Sequence, residues 1–243
     1  MMMALCCTIG SLDWPAMTDN SRSDQRRVVP VPAMCRALHA VFTADPVEPV
    51  ADIEAPPASL LRRFGADDDT VRRLERRRFG QLFATEAAPG AMTRALAETR
   101  AAALAAATAS DGIVVDLGIP RIVTRPADDR AAASWVAADL ADGVLRTRGL
   151  TAFGLPEVHI EPGDDQTSMV LAVLTGLVHR LLAEWPRHDP VGPAAVTLRD
   201  IAEGYGDADT ASAPTTPALD LLIAYADDAL TVTLLDDPAV LFT

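Results

Sequence analysis

The short stretch whose residue types and spacing best suit chemistry is Glu157-Val158-His159-Ile160-Glu161. On an extended strand, residues two apart share a face, so Glu157, His159 and Glu161 project together while Val158 and Ile160 project the other way. Two carboxylates flanking an imidazole can ligate a divalent metal or hold a general base near neutral pH, the chemistry of metal-assisted hydrolysis. A further ligand would have to come from Asp164 or Asp165 folding back. The same alternation is what any half-buried strand shows to water, and that solvated face is the favoured reading. A second grouping is basic: Arg62, Arg63, Arg72, Arg73, Arg76, Arg77 and Arg78 fall within seventeen residues. On a helix Arg72, Arg73 and Arg76 share a face able to grip phosphate or an acidic partner. Because acids are in excess, pairing with Asp67, Asp68, Asp69, Glu75 and the acidic second half is expected instead. His179 falls in an apolar segment and is expected to be paired in the core or to lie at a helix edge. His39 and His188 have no sequence neighbours to act with.

Other signatures are missing. There is no Gly-x-Gly-x-x-Gly, no Gly-x-Ser-x-Gly, no His-Glu-x-x-His and no Cys-x-x-Cys. All 21 basic residues are arginine. Without lysine the chain has no P-loop lysine and no Schiff-base partner for pyridoxal phosphate, and no cofactor is expected. A triad dispersed along the chain is not legible from sequence order.

Arginine in place of lysine, with a single asparagine at Asn20, fits a GC-rich and bacterial coding sequence. Net charge is −13, and it is uneven: residues 1–99 carry 12 Arg against 13 acids, residues 100–243 carry 9 Arg against 21. An acidic second half repels phosphate backbones, so nucleic acid is not an expected partner. A protein partner of basic character is the sharper alternative to a merely solubilising acidic surface. The odd set Cys6, Cys7 and Cys35 has neither disulfide nor metal spacing and suits a reducing, cytoplasmic compartment. Met1 to Gly10 lacks a basic leader and a long apolar run, so it reads as a poor signal peptide; either Met1 or Met17 is the start. The apolar run Met169 to Val178 is half the roughly twenty residues of a membrane span, so no membrane association is expected.

The elements that must position these residues follow from pattern. Residues 1–30 are expected to be a disordered tail or an extension upstream of the true start, and 31–243 a single domain. Strands are expected at Ala37–Phe42, Phe79–Ala84, Ile113–Asp116, Val144–Leu150, Glu157–Glu161 and Ala195–Arg199. Pro46–Ala58 and Gly204–Pro217 read as loops. Helices are expected after Asp67-Asp68-Asp69, over Ala91–Ala109, over Asp129–Ala138 carrying Trp135, and over Gln166–Trp185. In the Ala91–Ala109 helix, Met92, Leu96, Ala103 and Leu104 form the inner face while Arg94, Glu98 and Arg100 point elsewhere. Leu219, Leu221, Ile223 and Tyr225 alternate, as do Leu230, Val232 and Leu234, with Asp227-Asp228 between them, which predicts an antiparallel hairpin. The expected fold is therefore α+β: a mixed or antiparallel sheet packed by several helices, with a C-terminal β-hairpin.

Between Thr147 and Glu157 the chain carries Gly149-Leu150, Phe153-Gly154 and Pro156-Glu157, with the Asp116 strand and Trp135 upstream. In these residues it resembles a bacterial family of unknown function, the DUF4261-like domains. The resemblance implies a compact cytosolic domain with a Gly/Pro-shaped corner before a strand, and no catalytic role. Physically the glycines suit positive φ, the proline stiffens the corner and Phe153 plugs it. The favoured function is a non-catalytic protein-binding or regulatory domain; the alternative is a metal-assisted hydrolase using Glu157, His159 and Glu161.

Overall fold

The computed structural model describes residues 28–127, 131–207 and 212–242. Cys6, Cys7, Met17 and most of the expected N-terminal tail lie outside the described residues. Val29, at the end of that stretch, is buried in the core at 2% exposure. The fold is α+β, with five α-helices and two sheets among the described residues.

In the first sheet β1 (Cys35–Thr43), β2 (Phe79–Ala87), β3 (Ile113–Asp116) and β4 (Arg121–Val123) are antiparallel neighbours in the order β2-β1-β3-β4. Alternation along the strands splits their side chains between two covers. Ala40, Phe42, Ile113 and Val115 pack on Leu61, Val71 and Leu74 of α1 (Ala58–Arg63) and α2 (Asp68–Glu75). Val41, Val114 and Val123 pack on Ala103 and Ala107 of α3 (Met92–Ser110). Asp67 caps α2 by accepting from the Thr70 backbone N–H at 2.7 Å. Asp68 and Asp69 follow in its first turn, where the positive end of the helix dipole favours them.

The second sheet holds β5 (Ala137–Ala141), β6 (Val144–Arg148), β7 (Glu157–Ile160), β8 (Gly192–Thr197), β9 (Ala218–Ala226) and β10 (Ala229–Leu234) in the order β5-β6-β7-β10-β9-β8. Only the β7–β10 pair is parallel. Leu145, Val158, Ile160, Leu219, Leu221, Leu230 and Val232 share a core with the inner stripe of α4 (Thr167–Glu184), namely Val170, Val173, Leu174, Leu177, Val178 and Leu181. By length and composition α4 could cross a membrane, and in this fold that apolar stripe is buried. Outside α4 lies α5 (Leu198–Tyr205), so close that a Cβ on Gly204 would stand 2.6 Å from the Thr175 carbonyl oxygen. Val29, Cys35, Met92 and Leu96 join the same core, which ties the first sheet to the second.

The expected C-terminal hairpin is present: Asp227 and Asp228 both take positive φ, at 51° and 58°, and close the β9–β10 turn. Other expectations need correction. The helix proposed over Asp129–Ala138 is absent from its described part; Ala132–Ser134 is a single 3-10 turn and Ala137 opens β5. Ala-rich residues favour a helix locally, but Asp142-Gly143 (φ 53° and 77°) is a tight turn that pairs Ala141 with Val144, and the sheet wins. Strand β8 ends at Thr197 rather than Arg199, because Thr197 and Asp200 form a reciprocal capping box that starts α5. Gly204 and Tyr205 consequently belong to α5 and not to a loop. Neither α1 nor the short β4 is signalled by the sequence pattern.

Candidate functional site

Across the face of the first sheet that α3 covers runs a row of paired residues: Phe83, His39, Asp116 and Arg121, on β2, β1, β3 and β4 in turn. His39 and Asp116 are 1% and 8% exposed. Asp116 accepts hydrogen bonds from the backbone N–H groups of Gly118 and Ile119 at 3.0 and 3.1 Å, which fixes the turn into β4. Arg100, 4% exposed, descends from α3 with a terminal nitrogen 3.7 Å from Asp116. It also donates to the Ser134 carbonyl at 2.9 Å, and its guanidinium lies 4.5 Å from the centre of the Trp135 ring. Arg121 donates to the carbonyls of Ala133, at 3.1 Å, and of Ser134. Two guanidinium groups thus converge on one carboxylate and on the carbonyls of a single 3-10 turn.

The electrostatics follow from that crowding. Burial pushes the His39 imidazole below its ordinary pKa of 6.5; Asp116 opposes this, and Arg100 and Arg121 add to it. Neither ring nitrogen of His39 has a hydrogen-bond partner. Burial also lowers the pKa of Arg121, against the pull of Asp116. Among the described residues, a cleft of about 540 Å³ is lined by Arg100, Arg121, Arg125, Ser134 and Tyr205 among others. Guanidinium groups held in a fixed orientation are suited to bind a carboxylate or phosphate in forked fashion.

The residues singled out from the sequence sit elsewhere. Glu157 and His159 lie on β7 on the face away from α4, as alternation predicts, and Glu161 follows the strand, exposed. The three do not converge as ligands. The Glu157 carboxylate is taken up by the corner before its own strand: it accepts from the Thr147 hydroxyl at 2.7 Å, the Gly149 N–H at 2.9 Å and both N–H and hydroxyl of Thr151 at 3.3 and 3.2 Å. His159 is paired in register with Arg146, and burial first, then Arg146, lower its pKa against the pull of Glu157. Among the described residues no group of three or more His, Cys, Asp or Glu is placed to hold a metal. Glu157 thus serves as a corner cap in the geometry seen here. His179 pairs with Glu203 at 2.9 Å, as expected of a helix-edge histidine. Within the arginine-rich stretch Arg62, Arg63, Arg72 and Arg77 pair with Asp68, Asp139, Asp69 and Asp111.

Sequence reasoning passed over His39, Asp116, Arg100 and Arg121. A signal existed for Arg100: it lies four residues after Leu96 and three before Ala103, on the very stripe assigned to the inner face of α3. For His39 and Arg121 no local signal exists, since only strand pairing brings them to Asp116. Gly149 and Gly154, in the corner before β7, adopt φ of 117° and 76°, and Phe153 between them is buried at 2%. No family model, curated protein or solved structure matches the chain.

Proposed function

We propose that the chain is a non-catalytic binding domain that takes an oxyanion, carboxylate or phosphate, in the cleft beside Arg100, Arg121 and Arg125. The observation that carries this reading is the presence of three arginines, Arg100, Arg121 and Arg125, in the described lining of a cleft of about 540 Å³, two of them anchored by the Ala133 and Ser134 carbonyls. Guanidinium groups held rigidly before any ligand arrives cost little reorganisation on binding. This reading departs from the protein partner of basic character expected from the sequence and takes an acidic ligand instead.

The test is thermal unfolding and calorimetric titration at low salt with phosphate, sulfate, citrate and succinate. A ligand at one hundred times its Kd adds about 2.7 kcal/mol to the native state, enough to raise Tm by several degrees. Arg125→Ala, at an exposed rim position, is expected to weaken the tightest of these anions about tenfold, as is raising the ionic strength. No stabilisation by any of the four anions at millimolar concentration would remove the proposal.

A further inference from the structure

The middle strands of the second sheet, β7 and β10, are its one parallel pair. In open sheets the carboxyl ends of neighbouring parallel strands are where ligand crevices form. A cleft of about 690 Å³ lies at these ends, a size suited to a small molecule. Strand pairing sets Arg146, His159 and Thr231 in one row across β6, β7 and β10, and all three line the cleft. Glu161 lies two residues beyond His159, about 7 Å of extended chain, and Asp236 and Asp237 follow the end of β10; these three carboxylates line the same cleft. Gln166 donates to Asp237 at 3.2 Å and ties the two strand exits together. Burial first and then Arg146 lower the His159 pKa, so near neutral pH the imidazole is an uncharged hydrogen-bonding group and Arg146 carries the charge of the row. The cleft is therefore basic at one end and acidic at the other. Arg146, Glu161 and Asp236 are exposed, and among the described residues none of them joins an ion pair.

We infer that this cleft is a second binding site, for a small dipolar ligand: its carboxylate meets Arg146 and His159, and its ammonium, several methylenes away, meets Glu161 and Asp236. Charges of opposite sign that line one cleft without pairing are both answered by a ligand that carries both counter-charges. A simple anion gains Arg146 but meets three carboxylates, and a simple cation gains the carboxylates but meets Arg146. An α-amino acid holds its two charges too close together to reach from the Arg146 row to the acids beyond the strand ends. No Phe, Tyr or Trp is in the described lining, so a sugar or a flat ring finds no stacking surface there. The site shares no residue with the described lining of the arginine-lined cleft and rests on no part of that reading.

The experiment is calorimetric titration of the full chain at low salt with glycine, 4-aminobutyrate and 6-aminohexanoate, alongside hexanoate and hexylamine, which carry one charge each. Affinity is expected to rise along the first series, with 6-aminohexanoate binding about tenfold more tightly than glycine and than either singly charged control. Arg146→Ala is expected to bring 6-aminohexanoate down to the level of hexylamine, and Glu161→Gln with Asp236→Asn to bring it down to that of hexanoate. These positions are exposed, so the variants keep the fold. The series is repeated in Arg125→Ala, which leaves this cleft unaltered and tells binding in the arginine-lined cleft apart. Equal affinity for glycine and 6-aminohexanoate would overturn the separated charges, and a singly charged control that binds as tightly would overturn the dipolar ligand. Binding lost in Arg125→Ala but kept in Arg146→Ala would place the ligand in the other cleft and remove this site. Absence of binding by every member at millimolar concentration removes it too, and leaves the arginine-lined cleft to its own test. Because the length series is run on the unaltered protein, its outcome does not depend on any variant folding.

Discussion

Glu157 and Asp116 show how the same side chain acquires a role from what surrounds it. Both are carboxylates beside a histidine in or near a strand, yet the Glu157 carboxylate is consumed by the Gly149–Thr151 corner, whereas Asp116 answers two arginines. Glu157→Ala is expected to lower stability by about 1–3 kcal/mol, read as a lower urea midpoint, because it strands the N–H groups that the carboxylate now accepts from. Asp116→Ala removes a carboxylate 3.7 Å from the buried Arg100 and strands the Gly118 and Ile119 N–H groups, and a loss of about 1–3 kcal/mol is expected in the same measurement. His39 gives a pH signature. Its folded pKa lies below its ordinary 6.5, so under acid the unfolded chain takes up a proton that the folded chain refuses. Stability is therefore expected to fall as pH drops below about 6.5, and to go on falling until the folded imidazole is itself protonated. In His39→Leu the acid limb of the stability–pH curve should be shallower, leaving the contribution of His159, whose pKa is lowered too.

At the scale of elements, periodicity was a good guide wherever one face met one environment. β7, β9 and β10 alternate as expected, β3 is buried throughout, and α4 carries an apolar stripe. It misled where local preference and partner disagreed: the Ala-rich segment before Asp142 has a helix former's composition and a strand's partner in β6. Arg100 is the instructive case on α3. Charge argued for an outward position, the i, i+4 spacing from Leu96 argued for an inward one, and Asp116 opposite makes the inward one tolerable. The contact of α4 with α5 depends on the absence of a side chain at Gly204. Gly204→Ala is expected to cost about 1–3 kcal/mol, measured by chemical denaturation, because its Cβ would press on the fixed backbone carbonyl of Thr175.

For the whole molecule, charge and topology together decide where binding can occur. Net charge of −13 by itself directs attention to basic partners. Four arginines in the stretch 62–78 already pair with acids of the same chain, and the described lining of the cleft near Arg121 carries three further arginines. From the residues in order one can read the α+β class, the terminal hairpin, most strands and the long helices, because alternation and capping are properties of neighbours within a few positions. The pairing of β1 with β3 and of β3 with β4, which sets His39, Asp116 and Arg121 in one row, was beyond that reach, as was the seat of the Ala132–Ser134 carbonyls over Arg100 and Arg121. The His39–Asp116 pairing and the Arg100–Ser134 contact join residues tens of positions apart, and the chemistry of the row comes from desolvation and crowding, which exist only once the chain has closed around it.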